Sequence, residues 1–123
     1  MRKMTCILVF ILSVLSLSAA DITLIVNVFK EGKASALAGN MDTEVDIAVP
    51  GAANKGTEAE AVAILTQFFE SEKPSDFTVL HHADRNDSGF IVGRLTTSKG
   101  ESRVNITYRV KDDKVWIQSI RIE

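Results

Sequence analysis

A chain of 123 residues, 46% of them hydrophobic and 24% charged, is the right size for one domain and carries enough apolar surface for a core. Its formal charge of −2, from 14 Lys and Arg against 16 Asp and Glu, excludes the clustered basic surface that nucleic acid or an anionic membrane requires. A single cysteine excludes an internal disulfide framework.

The first twenty residues have the composition of a signal peptide. Arg2 and Lys3 form a basic start, residues 6–17 are apolar but too few to span a bilayer, and Ser18-Ala19-Ala20 places small residues at a cleavage site. The expected division is a signal peptide over residues 1–20 and one mature domain over 21–123. Loss of Arg2 and Lys3 takes the formal charge to −4, and loss of Cys6 leaves no thiol. No cysteine follows the cleavage site to take a lipid. These features predict an exported protein, periplasmic or secreted, with no membrane attachment after cleavage.

Residues 22–29 are rich in β-branched side chains, which favours a strand on propensity. Their spacing favours a helix, because Ile22, Ile25, Val26 and Phe29 recur at i, i+3, i+4 and i+7, and Ala34 and Leu37 continue the stripe beyond Gly32. Gly39-Asn40 ends this segment. Residues 44–49 alternate as a short strand with Val45, Ile47 and Val49 on one face, Pro50-Gly51 stops it, and residues 52–56 read as a loop. Thr57-Glu58-Ala59-Glu60 is a capping box that starts a second helix. Val62, Leu65, Phe68 and Phe69 form its apolar stripe, and Lys73-Pro74 closes it.

From Phe77 to Ile122 three turn signals separate four alternating runs, an antiparallel meander. A turn centred on Lys99-Gly100 pairs Leu95 with Val104, Gly93 with Ile106 and Ile91 with Tyr108. At the next turn a two-residue loop would bring Ser119 and Arg121 to the core face. A three-residue loop over residues 112–114 instead pairs Val110 with Trp116, Tyr108 with Gln118, Ile106 with Ile120 and Val104 with Ile122, and burial favours it. Across residues 84–88 the same reasoning pairs Phe77 with Leu95, Val79 with Gly93 and His81 with Ile91.

Several stretches together carry a resemblance: Phe29-Lys30-Glu31-Gly32-Lys33-Ala34, Leu37, Val49-Pro50-Gly51, Phe68-Phe69, Gly93-Arg94-Leu95-Thr96-Thr97-Ser98 and Ile120-Arg121-Ile122-Glu123. The order of elements and these residues resemble the nuclear-transport-factor-2-like superfamily, and within it short exported Bacteroidota proteins of unknown function. The resemblance implies an α+β, cone-shaped fold in which N-terminal helices pack on a curved antiparallel sheet that ends in a four-strand meander. It further implies a pocket between helices and sheet, and often a homodimer through a sheet face. It does not imply an activity, since the superfamily hosts enzymes, binders and dimerisation modules alike. Steroid-isomerase-like members use a carboxylate base deep in the cone. Asp46 is near such a position, but it lies on the strand face opposite Val45 and Ile47 and reads as solvated.

His81 and His82 are strand neighbours that point to opposite faces, so they do not share a metal, and no metal or cofactor is expected. The stretch from Asp84 to Gly89 imitates the start of a calcium loop, but Leu95 stands where the bidentate Glu belongs, so it reads as a hairpin. The registers above set His81, Tyr108 and Gln118 in one lateral row on the inner face, with Trp116 beside them. An apolar wall with a few convergent polar groups is the composition of a small-molecule pocket, which makes these four the candidate ligand-binding residues. Mutual satisfaction of the three polar groups within the core is the competing reading. The leading expectation for function is a non-catalytic domain that binds a small apolar ligand or a protein partner. One alternative is an isomerase or dehydratase with His81 as base and Tyr108 as donor. Another is a homodimeric scaffold that meets its twin through Arg94, Arg103, Asn105, Arg109 and Ile117.

Overall fold

The computed structural model describes residues 21–123, and the expected signal peptide lies outside the described residues. Helix α1 (Thr23–Glu31) forms despite its β-branched content, because the apolar spacing buries Ile25, Val28 and Phe29 together. Gly32, at φ 72°, takes the left-handed conformation that ends the helix and donates its amide to the Val28 carbonyl. The apolar stripe resumes in a short 3-10 helix (Ala34–Leu37) that buries Ala34 and Leu37.

Strand β1 (Met41–Val49) buries Met41, Val45 and Ile47. Pro50-Gly51 then reverses the chain, with Gly51 at φ 91°. The residues expected as a loop return as β2 (Ala52–Gly56), antiparallel to β1 from Val49↔Ala52 to Val45↔Gly56. Their small polar composition carries little strand propensity, and it is the exposed backbone of β1 that recruits them as an edge strand. Helix α2 (Glu58–Ser71) begins at the capping box: Glu60 N–H donates to Thr57 Oγ1 at 3.2 Å and Thr57 N–H to Glu60 Oε1 at 2.9 Å. It buries Ala61, Leu65, Phe68 and Phe69, with Val62 at the margin. The Phe29 ring stands edge-on to Phe69 at 5.6 Å and lies 5.2 Å from Phe77, so one side chain ties both helices to the sheet.

The meander follows as β3 (Pro74–Arg85), β4 (Ser88–Thr97), β5 (Gly100–Lys111) and β6 (Lys114–Ile122). The six strands make one curved sheet in the order β2-β1-β6-β5-β4-β3, antiparallel throughout except where β6 runs parallel to β1. Both helices pack on its concave face.

Three expected registers change, each for an identifiable reason. Between β4 and β5 the turn residues are Ser98-Lys99, and the pairs are Leu95↔Ser102, Gly93↔Val104, Ile91↔Ile106 and Gly89↔Tyr108. The Thr97 hydroxyl holds this turn, accepting from Lys99 N–H at 3.1 Å and donating to the Gly100 carbonyl at 3.3 Å. Because the shift is two residues, the inward set is unchanged. Between β5 and β6 the loop has two residues, not three: Asp112 and Asp113, at φ 55° and 59°, form a hairpin turn of the kind that suits strand twist. This pairs Tyr108 with Ile117 and Arg109 with Trp116, so Ile117 is buried and Trp116 is turned outward. A bulge at Gln118 then restores the other phase, Ile106↔Ile120 and Val104↔Ile122, and keeps Ser119 and Arg121 off the core. Between β3 and β4, Phe77↔Leu95 and Val79↔Gly93 form as expected, but a bulge at Leu80 makes His82, not His81, the partner of Ile91.

The β6 register has a direct energetic trace. Ile117→Ala should cost about 2–5 kcal/mol, the range for truncating a fully buried aliphatic side chain, and Trp116→Ala less than half of that loss. Urea melts of the two variants check this. A larger loss for Trp116 would put the indole on the core side.

Candidate functional site

The inner face of the sheet is apolar except at its two ends: Thr97 is buried at the β4–β5 turn, and a larger polar group lies beside the β3–β4 hairpin. There Asp84, Gly89 and Tyr108 occupy one lateral row on β3, β4 and β5, and His82 sits in the neighbouring row with Ile91 and Ile106. Gly89 leaves a gap between two polar side chains, and the Tyr108 ring fills it. A Cβ at Gly89 would lie 2.6 Å from Tyr108 Cζ, so only glycine lets the ring cross β4 and reach β3.

At the far side of that gap the Tyr108 hydroxyl donates to Asp84 Oδ1. With its proton so committed, the hydroxyl oxygen accepts from His82 Nε2 at 2.8 Å, which assigns the imidazole proton to Nε2 in the neutral ring. His82 Nε2 also lies 3.3 Å from Asp84 Oδ1, closing a three-membered cluster. Tyr108 is fully buried, whereas the His82 and Asp84 side chains keep 26% and 27% exposure, so the cluster has a sealed base and a wet rim. Burial first, and the hydrogen bond and charge of Asp84 second, push the Tyr108 pKa well above its ordinary value. The phenol is therefore a fixed neutral donor over the whole physiological range.

Of the four residues expected to line one pocket, only Tyr108 is at this place. His81 is exposed on the outer face, its ring 5.3 Å from Phe90. Trp116, also turned outward, donates Nε1–H to the Lys111 carbonyl at 3.3 Å and carries Lys114 Nζ 4.5 Å above its ring. Gln118 is the bulged residue, and its amide donates to Asp42 Oδ2 at 3.4 Å. The lateral row of His81, Tyr108 and Gln118 does not form, and His81 and Tyr108 lie on opposite faces. Ile117, expected on an outer strip with Arg94 and Arg103, is inside. The residues that sequence reasoning missed are His82 and Asp84. Their signal is an i, i+2 polar pair on β3 followed by a glycine that faces the chain's one tyrosine. Reading that signal requires the bulge at Leu80.

Residues 22–123 match the family model DUF4783, a domain of unknown function. The chain belongs to the DUF4783 family. Crystal structures of DUF4783 proteins from Bacteroides fragilis and Bacteroides uniformis are similar to it at 33% and 31% identity, with TM-scores of 0.75 and 0.76. Each match covers 81% of this chain, and they cover 94% and 93% of those chains respectively. A designed protein of the nuclear-transport-factor-2 type, 17% identical, matches at TM-score 0.67 over 83% of this chain and 92% of its own, which shows a shared fold. No match was found among curated proteins. The DUF4783 domain thus has the α+β, nuclear-transport-factor-2-like architecture that its sequence resembles.

Because Tyr108 is the chain's one tyrosine, its ionisation can be followed alone by tyrosinate absorption. The folded domain should show no tyrosinate near pH 10.0, the ordinary value, and Asp84→Asn should bring the onset down towards it. The sign for stability follows: the folded state keeps a proton that the unfolded chain loses, so this contribution is intact below pH 10.0 and declines as pH rises beyond it. A native titration with an ordinary midpoint would show that the phenol is not held as described.

Proposed function

We propose that this DUF4783 domain is an exported, non-catalytic binding domain that holds a small, mainly apolar ligand against the concave face, its polar end on His82 and Asp84. The observation that carries the reading is the cluster's asymmetry. Its base, the Tyr108 hydroxyl, is buried and hydrogen-bonded, while its upper edge, His82 and Asp84, is one-quarter exposed at the border of an apolar wall. Val79, partly buried on the same face of β3, extends that wall. A few polar groups placed on an apolar concave surface orient a ligand without consuming it.

Binding is favoured over catalysis by geometry, since His81 lies on the face opposite Tyr108 and the expected base and donor do not meet. A general acid works best with a pKa near the operating pH, and burial and Asp84 move Tyr108 the other way. Export rests on the basic, apolar and small-residue order of residues 1–20.

The test is native mass spectrometry of the protein purified without denaturation from its own host. The expected result is a small-molecule adduct whose occupancy falls at least tenfold in His82→Ala. A bare chain from the host, or an adduct indifferent to His82 and Asp84 substitution, would overturn the reading.

A further inference from the structure

The convex face of the sheet carries a second constellation, independent of the concave cluster. A groove of about 210 Å³ runs across β3, β4 and β5, lined by Leu80, Gly93, Arg94, Glu101, Ser102 and Arg103. Arg94 and Arg103 are direct cross-strand partners. Like charges directly opposite one another on a sheet face are destabilising, so the free protein gains nothing from this pair. Glu101 relieves one member, with its carboxylate 3.9 Å from Arg94 Nε. Arg103 makes no side-chain hydrogen bond or ion pair among the described residues. At the other side of the groove stands Leu80, the residue extruded by the β3 bulge and 50% exposed.

We propose that this groove is a binding site for a small amphiphilic carboxylate, with the carboxylate between Arg94 and Arg103 and the apolar tail on Leu80. Charge selects the class. Two guanidinium groups and one Glu101 carboxylate leave a single positive charge, which matches a monoanion and not a phosphomonoester dianion. A guanidinium fork also fits the planar carboxylate by paired hydrogen bonds. Size limits the tail, since 210 Å³ is below the usual range of drug-sized pockets, roughly 300–1,000 Å³. The bulge serves the same end. It takes Leu80 out of the ladder and presents an aliphatic side chain to solvent on the strand next to the arginine pair.

Hexanoate is a suitable probe, titrated into the isotopically labelled protein and followed by amide and Leu methyl NMR shifts. Saturable shifts at Leu80, Arg94 and Arg103 are expected. Binding should weaken at least tenfold in Arg103→Gln and in Leu80→Ser, and hexanol should bind at least tenfold more weakly than hexanoate. Arg103→Gln should at the same time leave the urea midpoint unchanged or raised, because it removes a like-charge contact. Four results would overturn the proposal: equal binding of hexanol, tighter binding of hexyl phosphate, shifts confined to His82 and Asp84, or a lowered urea midpoint in Arg103→Gln. Concentration-dependent dimerisation through Leu80 that hexanoate does not reverse would also overturn it, by assigning the groove to a second copy.

Discussion

Everything in this domain depends on keeping a continuous apolar core, bounded by polar groups at its ends, on the concave side of one curved sheet. Side chains alternate with a period of two, so a strand whose hydrophobic pattern loses phase must either bury a polar residue or change its backbone. This chain changes its backbone at several places, and two bulges, in β6 and in β3, set what faces the core. In β6 the pair Val115 and Ile117 and the pair Ile120 and Ile122 are out of phase, and the extra residue Gln118 brings all four inside. In β3 the extra residue Leu80 lets both Phe77 and His82 face the same side. The β6 bulge interrupts its ladder locally and keeps four core side chains buried. With each fully buried aliphatic side chain contributing about 1.5–3 kcal/mol, the trade favours the bulge.

The two bulges also determine what chemistry the domain displays. The one in β3 exchanges the histidines: His82 goes to the concave face and His81 to the convex face, where its ring lies tilted against Phe90. It also extrudes Leu80 beside the Arg94 and Arg103 pair. The one in β6 brings the Gln118 amide to Asp42, which Arg109 also approaches at 3.1 Å. The polar groups displayed on both faces therefore depend on where the two bulges change the phase of their strands.

The concave cluster shows how a buried hydroxyl is made tolerable. An unpaired hydroxyl in the core would cost about 1–3 kcal/mol, so the position requires partners that the neighbouring strand cannot supply. Gly89 resolves this by absence. Without a side chain there, Tyr108 lies across β4 and finds Asp84 and His82 on β3, two strands away. The same device recurs four residues further along β4 at Gly93, over which the Phe77 ring lies.

The sequence by itself carried much of the local structure, though not β2 or the exact hairpin turns. Helical spacing in residues 22–29 outweighed their strand propensity, the Thr57 and Glu60 capping box marked the start of α2, and the inward sets of β1, β4 and β5 could be read from alternation. The family resemblance carried the overall architecture. Only the tertiary structure decided the rest. A bulge has no local signature when the residues on either side are equally extended, because its energy comes from which side chains the partner strand and the helices bury. The choice between a two-residue and a three-residue loop after Val110 could not succeed as posed, since the protein uses the register of the first near the turn and that of the second beyond Gln118. Tyr108, His82 and Asp84 come from positions separated by up to 26 residues. Their meeting follows from strand order, a bulge and a glycine gap acting together, and each of these is a property of neighbouring strands and not of the segment that contains the residue.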